Sequence, residues 1–221
     1  MQKTLKSEVS LINLNIVFEN TDFIIINKSH GIPVAPDCKD IGRECLHHIL
    51  KKKYNNKIYM IHRLDAGTAG LMVWAKNKKT QRELSCQFEN GEVYKEYIAV
   101  AKGKIANPLS IIAPITKKNY HGRYKINFEN GLQARTTIYP LKHLKKNTML
   151  KIILHTGRTH QIRVHLKHIK HPIAVDYQYN LSTKFDEKRL TLMCSKLCFC
   201  YNGKKVEYEA EISDFIQSWI N

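Results

Sequence analysis

Hydrophobic residues recur along this chain mostly in short runs bounded by turn-forming residues, a pattern that favours β-strands over long helices. Over residues 93–100 apolar side chains alternate between the two faces of a predicted strand, so Lys95 and Tyr97 point to one face and Ile98 to the other. We expect the face with Tyr97 to lie away from the core. Strands are predicted over residues 16–18, 23–28, 71–75, 93–100, 109–115, 134–141, 149–155, 190–201 and 205–212, with Asn202-Gly203 as a hairpin turn between the last two.

Helical spacing of apolar residues marks fewer segments. A helix is predicted over residues 41–50, and a second one opens at Thr80, which forms a capping box with Glu83. A third helix takes Thr159 as its N-cap, and a short terminal helix covers residues 214–220. On the third helix Ile162, Leu166 and Ile169 form the apolar face, while His160, Arg163 and Lys167 are expected to point outward together.

Composition and charge narrow the class of protein. The 221 residues include 43% hydrophobic ones, and this length suits one large domain or two small lobes. We place a single domain at residues 15–221, after a lead-in segment of residues 1–14. A net charge of +17 favours a nucleic-acid partner, although a generally lysine-rich proteome would give the same excess. The longest apolar runs are too short to cross a bilayer, and the start lacks the apolar core of a signal peptide. We therefore expect a cytoplasmic monomer with no membrane partner.

Cysteines and histidines cluster without forming a metal-binding pattern. Cys194, Cys198 and Cys200 contain no CxxC pair, lack an obvious fourth ligand, and are expected to be buried thiols. His165, His168 and His171 have a spacing that gives no compact ligand set, and we interpret them as surface or RNA-facing side chains. We therefore expect these cysteines and histidines to form no metal site.

One stretch, residues 61–76, combines charge with a tight turn. His62, Arg63 and Asp65 stand just before Gly67, Thr68 and Gly70, and a buried strand is predicted directly afterwards. Glycine permits backbone angles and close approaches that other residues forbid, so the turn can place a carboxylate and a guanidinium at the mouth of a strand. The alternative is an ordinary surface loop with an Arg–Asp ion pair.

Two motifs together carry a family resemblance. His62-Arg63-Leu64-Asp65, with Thr68, Gly70 and Ala75-Lys76-Asn77, resembles the active-site motif of the RluA-type pseudouridine synthases. Residues 156–165, followed by His171-Pro172-Ile173 and Asp176, resemble their third motif. Asn27-Lys28 with Gly31 and Pro33 is similar to the opening motif, and Lys95-Glu96-Tyr97 to the tyrosine strand. The similarity extends over about residues 15–215.

The resemblance implies an α+β fold: a mixed, mainly antiparallel bent sheet with flanking helices and a central RNA-binding cleft. It implies that Asp65 is the catalytic aspartate of an isomerase that converts uridine in ribosomal or transfer RNA to pseudouridine. Tyr97 would stack on the target base, Arg163 would pair with Asp65, and Ile162 would wall the pocket. Arg63 would fill the helix position that the flipped uridine vacates. No cofactor or metal is implied.

Some positions depart from the family pattern. Ser29 stands where proline is usual, Ala69 where serine is usual, and Leu192-Met193-Cys194 where Leu-His-Ala is usual. Lys170 and Val175 replace glycines. We also expect the S4 RNA-binding domain of many relatives to be missing, so that structured RNA is held by the catalytic domain's own basic surface. Lys117, Lys118 and Arg123, in a basic and aromatic loop, are the candidates for phosphate contacts.

Two other functions compete with an isomerase. A non-catalytic RNA-binding or ribosome-assembly protein could retain the same fold, but the presence of Asp65, Tyr97 and Arg163 argues against loss of catalysis. A metal-dependent nuclease would need a cluster of acidic ligands, which the sequence lacks.

Overall fold

A computed structural model describes residues 14–36, 44–116, 123–180, 182 and 189–220. The strands are β1 (Asn15–Glu19), β2 (Phe23–Lys28), β3 (Tyr59–Met60), β4 (Ala69–Ala75), β5 (Tyr94–Lys102), β6 (Leu109–Ile112), β7 (Ile115–Thr116), β8 (Lys125–Ile126), β9 (Arg135–His143), β10 (Asn147–Leu154), β11 (Leu192–Tyr201) and β12 (Lys204–Glu209). The helices are α1 (Leu46–Lys53), α2 (Lys78–Glu89), α3 (Gln161–His168) and α4 (Asp214–Gln217).

Ten of these strands form one sheet in the order β1-β2-β4-β11-β5-β10-β9-β6, with β3 paired to β4 and β12 to β11. Neighbours in this sheet run antiparallel except β4 and β11, which are parallel. β7 and β8 form a separate small pair. The α+β class and the mainly antiparallel sheet predicted from the sequence are confirmed. No helix in the described ranges is long and apolar enough to span a membrane.

Both faces of the central strands are buried, which corrects one expectation. Tyr97 and Ala99 on β5 belong to the larger core cluster, which also takes in the apolar residues of β2 and β4. Ile98 and Val100 face a second cluster that includes Ile216 of α4. Tyr97 therefore does not lie on a non-core face. Strict alternation predicts which residues share a face, but not whether the second face is covered.

The predicted limits of several elements are wrong for local reasons. α2 begins at Lys78 because the Asn77 side chain accepts a hydrogen bond from the Thr80 backbone N–H at 2.9 Å, so the N-cap is Asn77 and not Thr80. α3 begins at Gln161 with His160 as N-cap, in place of Thr159. The strand expected over residues 109–115 is split into β6 and β7 around Pro114, which has no N–H to donate. The helix expected over residues 41–50 begins at Leu46, and residues 41–43 lie outside the described part.

Gly70 brings β4 and β11 together at the end of the first motif. Its φ is +109°, and a Cβ built there would lie 2.2 Å from the backbone oxygen and 2.5 Å from the backbone nitrogen of Cys194. Two strand backbones, with no flexible side chain between them, meet at this point. Glycine is therefore required both by conformation and by space.

The Gly70→Ala variant should consequently lose roughly 3 kcal/mol of unfolding free energy, measured by denaturant titration. Gly157→Ala is the matched control, because a Cβ at Gly157 meets no atom within 4 Å. The control should change stability by no more than about 0.5 kcal/mol. Equal effects of the two substitutions would contradict the close approach of the strands.

Candidate active site

A cleft of about 470 Å³ opens between the first motif and α3. Its lining includes all five residues for which the sequence predicted a catalytic or substrate-binding role: Arg63, Asp65, Tyr97, Ile162 and Arg163. The two motifs, which are 98 positions apart at Asp65 and Arg163, thus line one cavity. Tyr97 and Ile162 are buried in the wall of the cleft, whereas Arg63 is exposed at its mouth.

A buried lysine, Lys28, stabilises the loop that carries Asp65. The Lys28 Nζ donates to three backbone oxygens, those of Ser29 at 2.9 Å, Ile32 at 3.0 Å and Ala66 at 3.0 Å. The Gly31 N–H adds a bond of 2.8 Å to the same Ala66 oxygen. One ammonium group therefore ties the opening motif to the residue that follows Asp65.

His62 fixes the other end of this loop. β3 pairs with β4 only as far as Met60, and beyond it the His62 Nε2 accepts a hydrogen bond from the Val73 backbone N–H at 3.1 Å. The imidazole also stacks on Phe88, with ring centroids 4.3 Å apart. Burial, together with the nearby charge of Lys95, lowers the pKa of His62 to about 3. A neutral ring that accepts at Nε2 thus replaces a strand partner.

Asp65, Arg163 and Asp176 form a row of alternating charges with Asp65 at one end. The Arg163 Nη1 donates to Asp65 Oδ2 at 2.8 Å, while Nε and Nη2 donate to the two Asp176 oxygens at 2.8 and 2.9 Å. Nη2 also donates to Gln178 Oε1 at 2.7 Å, and the Tyr179 ring lies over the guanidinium at 5.0 Å. The Asp65 side chain is 27% exposed, against 3% for Arg163 and none for Asp176. Asp65 is therefore the most accessible of these three charged side chains.

The outward orientation predicted for Arg163 is wrong, because its charge is neutralised inside the protein. Burial alone would lower the pKa of the Arg163 guanidinium, but the hydrogen bonds and charges of Asp176 and Asp65 outweigh burial and raise it. Asp176 was part of the sequence motif, yet nothing in the sequence gave it a role. It is fully buried and also accepts from the Gln178 and Tyr179 backbone N–H groups, so it orients the arginine that contacts Asp65.

His160 approaches Asp65 from a strained position. Its φ is +56°, and its Nε2 lies 3.7 Å from Asp65 Oδ1. The Tyr179 hydroxyl accepts from the Tyr124 N–H at 3.0 Å and lies 2.9 Å from His160 Nδ1, which favours a tautomer with the proton on Nε2. Burial lowers the pKa of His160, against the opposing charge of Asp65. A largely neutral imidazole N–H therefore faces the carboxylate.

Polar residues of α3 also anchor the helix to the sheet. The Gln161 side chain accepts from Thr156 Oγ1 at 2.7 Å and donates to Thr136 Oγ1 at 2.9 Å. His165 lies 2.9 Å from both Thr136 Oγ1 and the Ala113 carbonyl oxygen and has no exposed surface. The expectation that His165 faces RNA is therefore wrong; its hydrogen-bond partners lie inside the protein.

The positions of the three cysteines on β11 are those of strand residues and not of metal ligands. Cys194 and Cys198 are buried as expected, but Cys200 is exposed, which corrects the expectation for that residue. β11 pairs with β5 only as far as Cys198, so Cys200 lies past the part of the strand that has neighbours on both sides. In the described part of the chain, no three His, Cys, Asp or Glu side chains converge as metal ligands.

Arg123 is the only one of the three predicted phosphate contacts that falls in the described part of the chain. It is half-buried and precedes Tyr124, whose ring lies 5.2 Å from that of His160. Lys117 and Lys118 lie outside the described residues. The contact of this loop with RNA stays a prediction.

Comparison with known proteins decides the family. Residues 22–168 match the family model described as RNA pseudouridylate synthase. The chain belongs to this family. It is 30% identical to the ribosomal large subunit pseudouridine synthase D of Yersinia pestis, over 95% of this chain and 70% of that protein. It is 32% identical to the protein of the same name from Escherichia coli strain K12, over 91% of this chain and 68% of that protein.

Solved structures agree with this assignment. Human RNA Pseudouridylate Synthase Domain Containing 1 superposes with a TM-score of 0.77 at 25% identity, covering 94% of this chain and 86% of the other. Human RNA Pseudouridylate Synthase Domain Containing 4 gives a TM-score of 0.76 at 21% identity, covering 93% and 91%, and supports the fold. As a pseudouridine synthase, the protein is an isomerase that acts on RNA, which confirms the activity expected from the two motifs.

Because Lys28 is buried, we expect the unfolding free energy of the protein to depend on pH. Burial lowers its pKa to about 7, against the opposing Asp65 charge, whereas an unfolded lysine keeps its proton to about pH 10.4. Between these values the unfolded chain binds more protons than the folded protein, so this position contributes more stability as pH rises. The unfolding free energy of wild type minus that of Lys28→Met should therefore increase above about pH 7, by up to about 1.4 kcal/mol per pH unit.

Denaturant unfolding at several values between about pH 6 and pH 9 measures this difference. Lys79→Met is the matched control, since the Lys79 side chain is 87% exposed, and its difference from wild type should not vary with pH. A pH-independent difference for Lys28→Met would show instead that the three backbone carbonyls keep the ammonium charged and cancel the effect of burial.

Proposed function

We propose that Asp65 is the catalytic carboxylate of this pseudouridine synthase. The observation that carries the proposal is the ion pair of 2.8 Å between a partly exposed Asp65 and a buried Arg163 at the wall of the cleft. Arg163 supplies a positive charge beside the carboxylate, and Asp176 keeps Arg163 in place. A reactive carboxylate needs this combination of an access path and a fixed counter-charge.

The reaction breaks the C1′–N1 bond of uridine, turns the uracil, and joins C1′ to C5. The electron pair of the broken bond leaves with the base, so the sugar carbon becomes electron-poor. Asp65 either bonds to C1′ or removes the C2′ proton, and both routes require an ionised carboxylate beside the ribose. Neither route consumes an oxidant or a reductant, because substrate and product are isomers.

The other predicted residues serve base flipping and recognition. Taking a uridine out of its stack costs a few kcal/mol. Stacking of the base on the Tyr97 ring offsets much of this, at roughly 1–3 kcal/mol per base. Ile162 closes the pocket beside Arg163, and Arg63 at the mouth fills the space that the flipped base leaves in the RNA.

We infer that the substrate is a uridine in large-subunit ribosomal RNA, since the relatives named above are ribosomal large subunit pseudouridine synthases. Transfer RNA is the alternative. A net charge of +17 suits binding to the RNA backbone, with Lys117, Lys118 and Arg123 as proposed phosphate contacts. A cytoplasmic monomer fits this role.

The Asp65→Asn variant should abolish pseudouridine formation, because asparagine keeps the shape of the side chain and loses its charge. Its affinity for RNA should stay within a few-fold of wild type. A purified assay on transcribed large-subunit ribosomal RNA, with pseudouridine mapping, measures turnover, and filter binding measures affinity. Asp214→Asn, an exposed aspartate at the start of α4, is the control and should keep full activity. Substantial turnover by Asp65→Asn would overturn its catalytic role.

A further inference from the structure

Lys95 is a buried cation in the cleft without an anionic partner. It lies on β5, two residues before Tyr97 and on the same face, and only 5% of it is exposed. It lines the cleft, yet in the described part of the chain its Nζ makes no hydrogen bond and no ion pair. The other two buried cations of this region are both satisfied: Lys28 by three carbonyl oxygens and Arg163 by two carboxylates.

The surroundings of Lys95 hold the ammonium in place but supply no negative charge. Its Nζ lies 5.5 Å from the centroid of the Phe88 ring, which in turn stacks on His62. Burial lowers the pKa of both His62 and His155. The charge of Lys95 lowers both further, after that of Arg135 for His155, so both imidazoles tend to be neutral. The buried Cys194 thiol has its pKa raised to about 12 and stays protonated near neutral pH. Burial lowers the pKa of Lys95 itself.

Such an arrangement costs folding free energy. Removing a charged group from water without a partner is unfavourable by several kcal/mol in proteins. A cation kept in this state inside an active-site cleft is poised for a negative charge that arrives with the substrate or forms during the reaction.

We propose that the Lys95 ammonium donates a hydrogen bond to a carbonyl oxygen of the flipped uracil and stabilises the negative charge that the base carries once the C1′–N1 bond is broken. The inference rests on the proposed function, in which Tyr97 stacks on that base and Asp65 acts on the sugar. Because Lys95 and Tyr97 project from the same face of one strand, a base against Tyr97 lies next to the ammonium.

The charges balance through the reaction. When the C1′–N1 bond breaks, its electron pair passes to the uracil and spreads over N1 and the two carbonyl oxygens. Asp65 meanwhile bonds to C1′ or takes the C2′ proton. When C5 bonds to C1′, the bond from Asp65 to C1′ breaks, or Asp65 returns the proton to C2′, and the base becomes neutral. C5 then loses its proton while N1 takes one up, so the product is neutral as well. Lys95 keeps its proton throughout, so its contribution is largest when the negative charge is largest.

A phosphate of the RNA backbone is the competing anion for Lys95. Phosphates stay at the surface of a bound RNA, where the exposed guanidinium groups of Arg63 and Arg158 stand at the rim of the cleft. Lys95 is buried inside the cleft, so the group that reaches it must be the one inserted deepest. In a base-flipping enzyme that group is the base.

The Lys95→Met variant tests the proposal, since methionine keeps the length of the side chain and removes its charge. On transcribed large-subunit ribosomal RNA, the single-turnover rate should fall about 100-fold, while the Kd for RNA changes less than about 3-fold. The melting temperature should stay the same or rise, because the uncompensated buried charge is gone. Lys102→Met, on the same strand with its Nζ bonded to Ser182, is the matched control and should keep the wild-type rate.

A transcript made with 5-fluorouridine separates the base from the phosphate as the partner of Lys95. Fluorine makes uracil a better leaving group, so its negative charge needs less stabilisation by Lys95. On this transcript Lys95→Met should therefore consume the target nucleotide less than about 10-fold more slowly than wild type. An unchanged rate on ordinary RNA would overturn the inference. So would a weaker Kd with a normal rate at saturation, which marks a phosphate contact, or a lower melting temperature, which marks a structural role. Asp65→Asn run in parallel tests the proposed function separately: turnover by that variant would refute it whatever Lys95→Met does.

Discussion

The arrangement of the active site depends on one buried guanidinium that is shared by two carboxylates. Arg163 is bonded to Asp176, which has no exposed surface, and to Asp65, which is partly open to the cleft. Burying such charges costs several kcal/mol each unless geometry and further hydrogen bonds compensate. The compensation is visible here: the arginine uses its donors on Asp176, Gln178 and Asp65, and Asp176 accepts two backbone N–H groups as well. The fold thereby fixes the position of the carboxylate that faces the cleft.

The sheet explains how residues so far apart in the chain meet at this arginine. Gly70 allows β4 to approach the backbone of β11, and β11 in turn pairs with β5, which carries Lys95 and Tyr97. Lys28 at the end of β2 ties the loop after Asp65 to the opening motif. Two of these contacts join different pairs of strands and the third joins β2 to the loop that carries Asp65, so several central strands contribute to the site.

The family resemblance predicted the class of fold, and short apolar runs between turn residues predicted most of the strands. Sequence patterns failed where polar residues are buried. Arg163 and His165 lie on a helix whose polar face would normally be solvated, but their partners, Asp176 and Ala113, come from elsewhere in the chain. Periodicity cannot detect such pairing. The side of the sheet that holds Tyr97 was misjudged for a related reason: alternation places Lys95 and Tyr97 together, and a lysine normally marks solvent.

Because Asp176 contacts Arg163 and Arg163 contacts Asp65, we expect Asp176 to act on the reaction only through Arg163. The most direct test is a double-mutant cycle of single-turnover rates on transcribed large-subunit ribosomal RNA, with Arg163→Met, Asp176→Asn and the double variant. If Asp176 serves only to hold the arginine, adding Asp176→Asn to Arg163→Met should cause no further loss, and the double variant should be as fast as Arg163→Met alone. Losses that multiply in the double variant would contradict the claim and would show that Asp176 acts independently of Arg163.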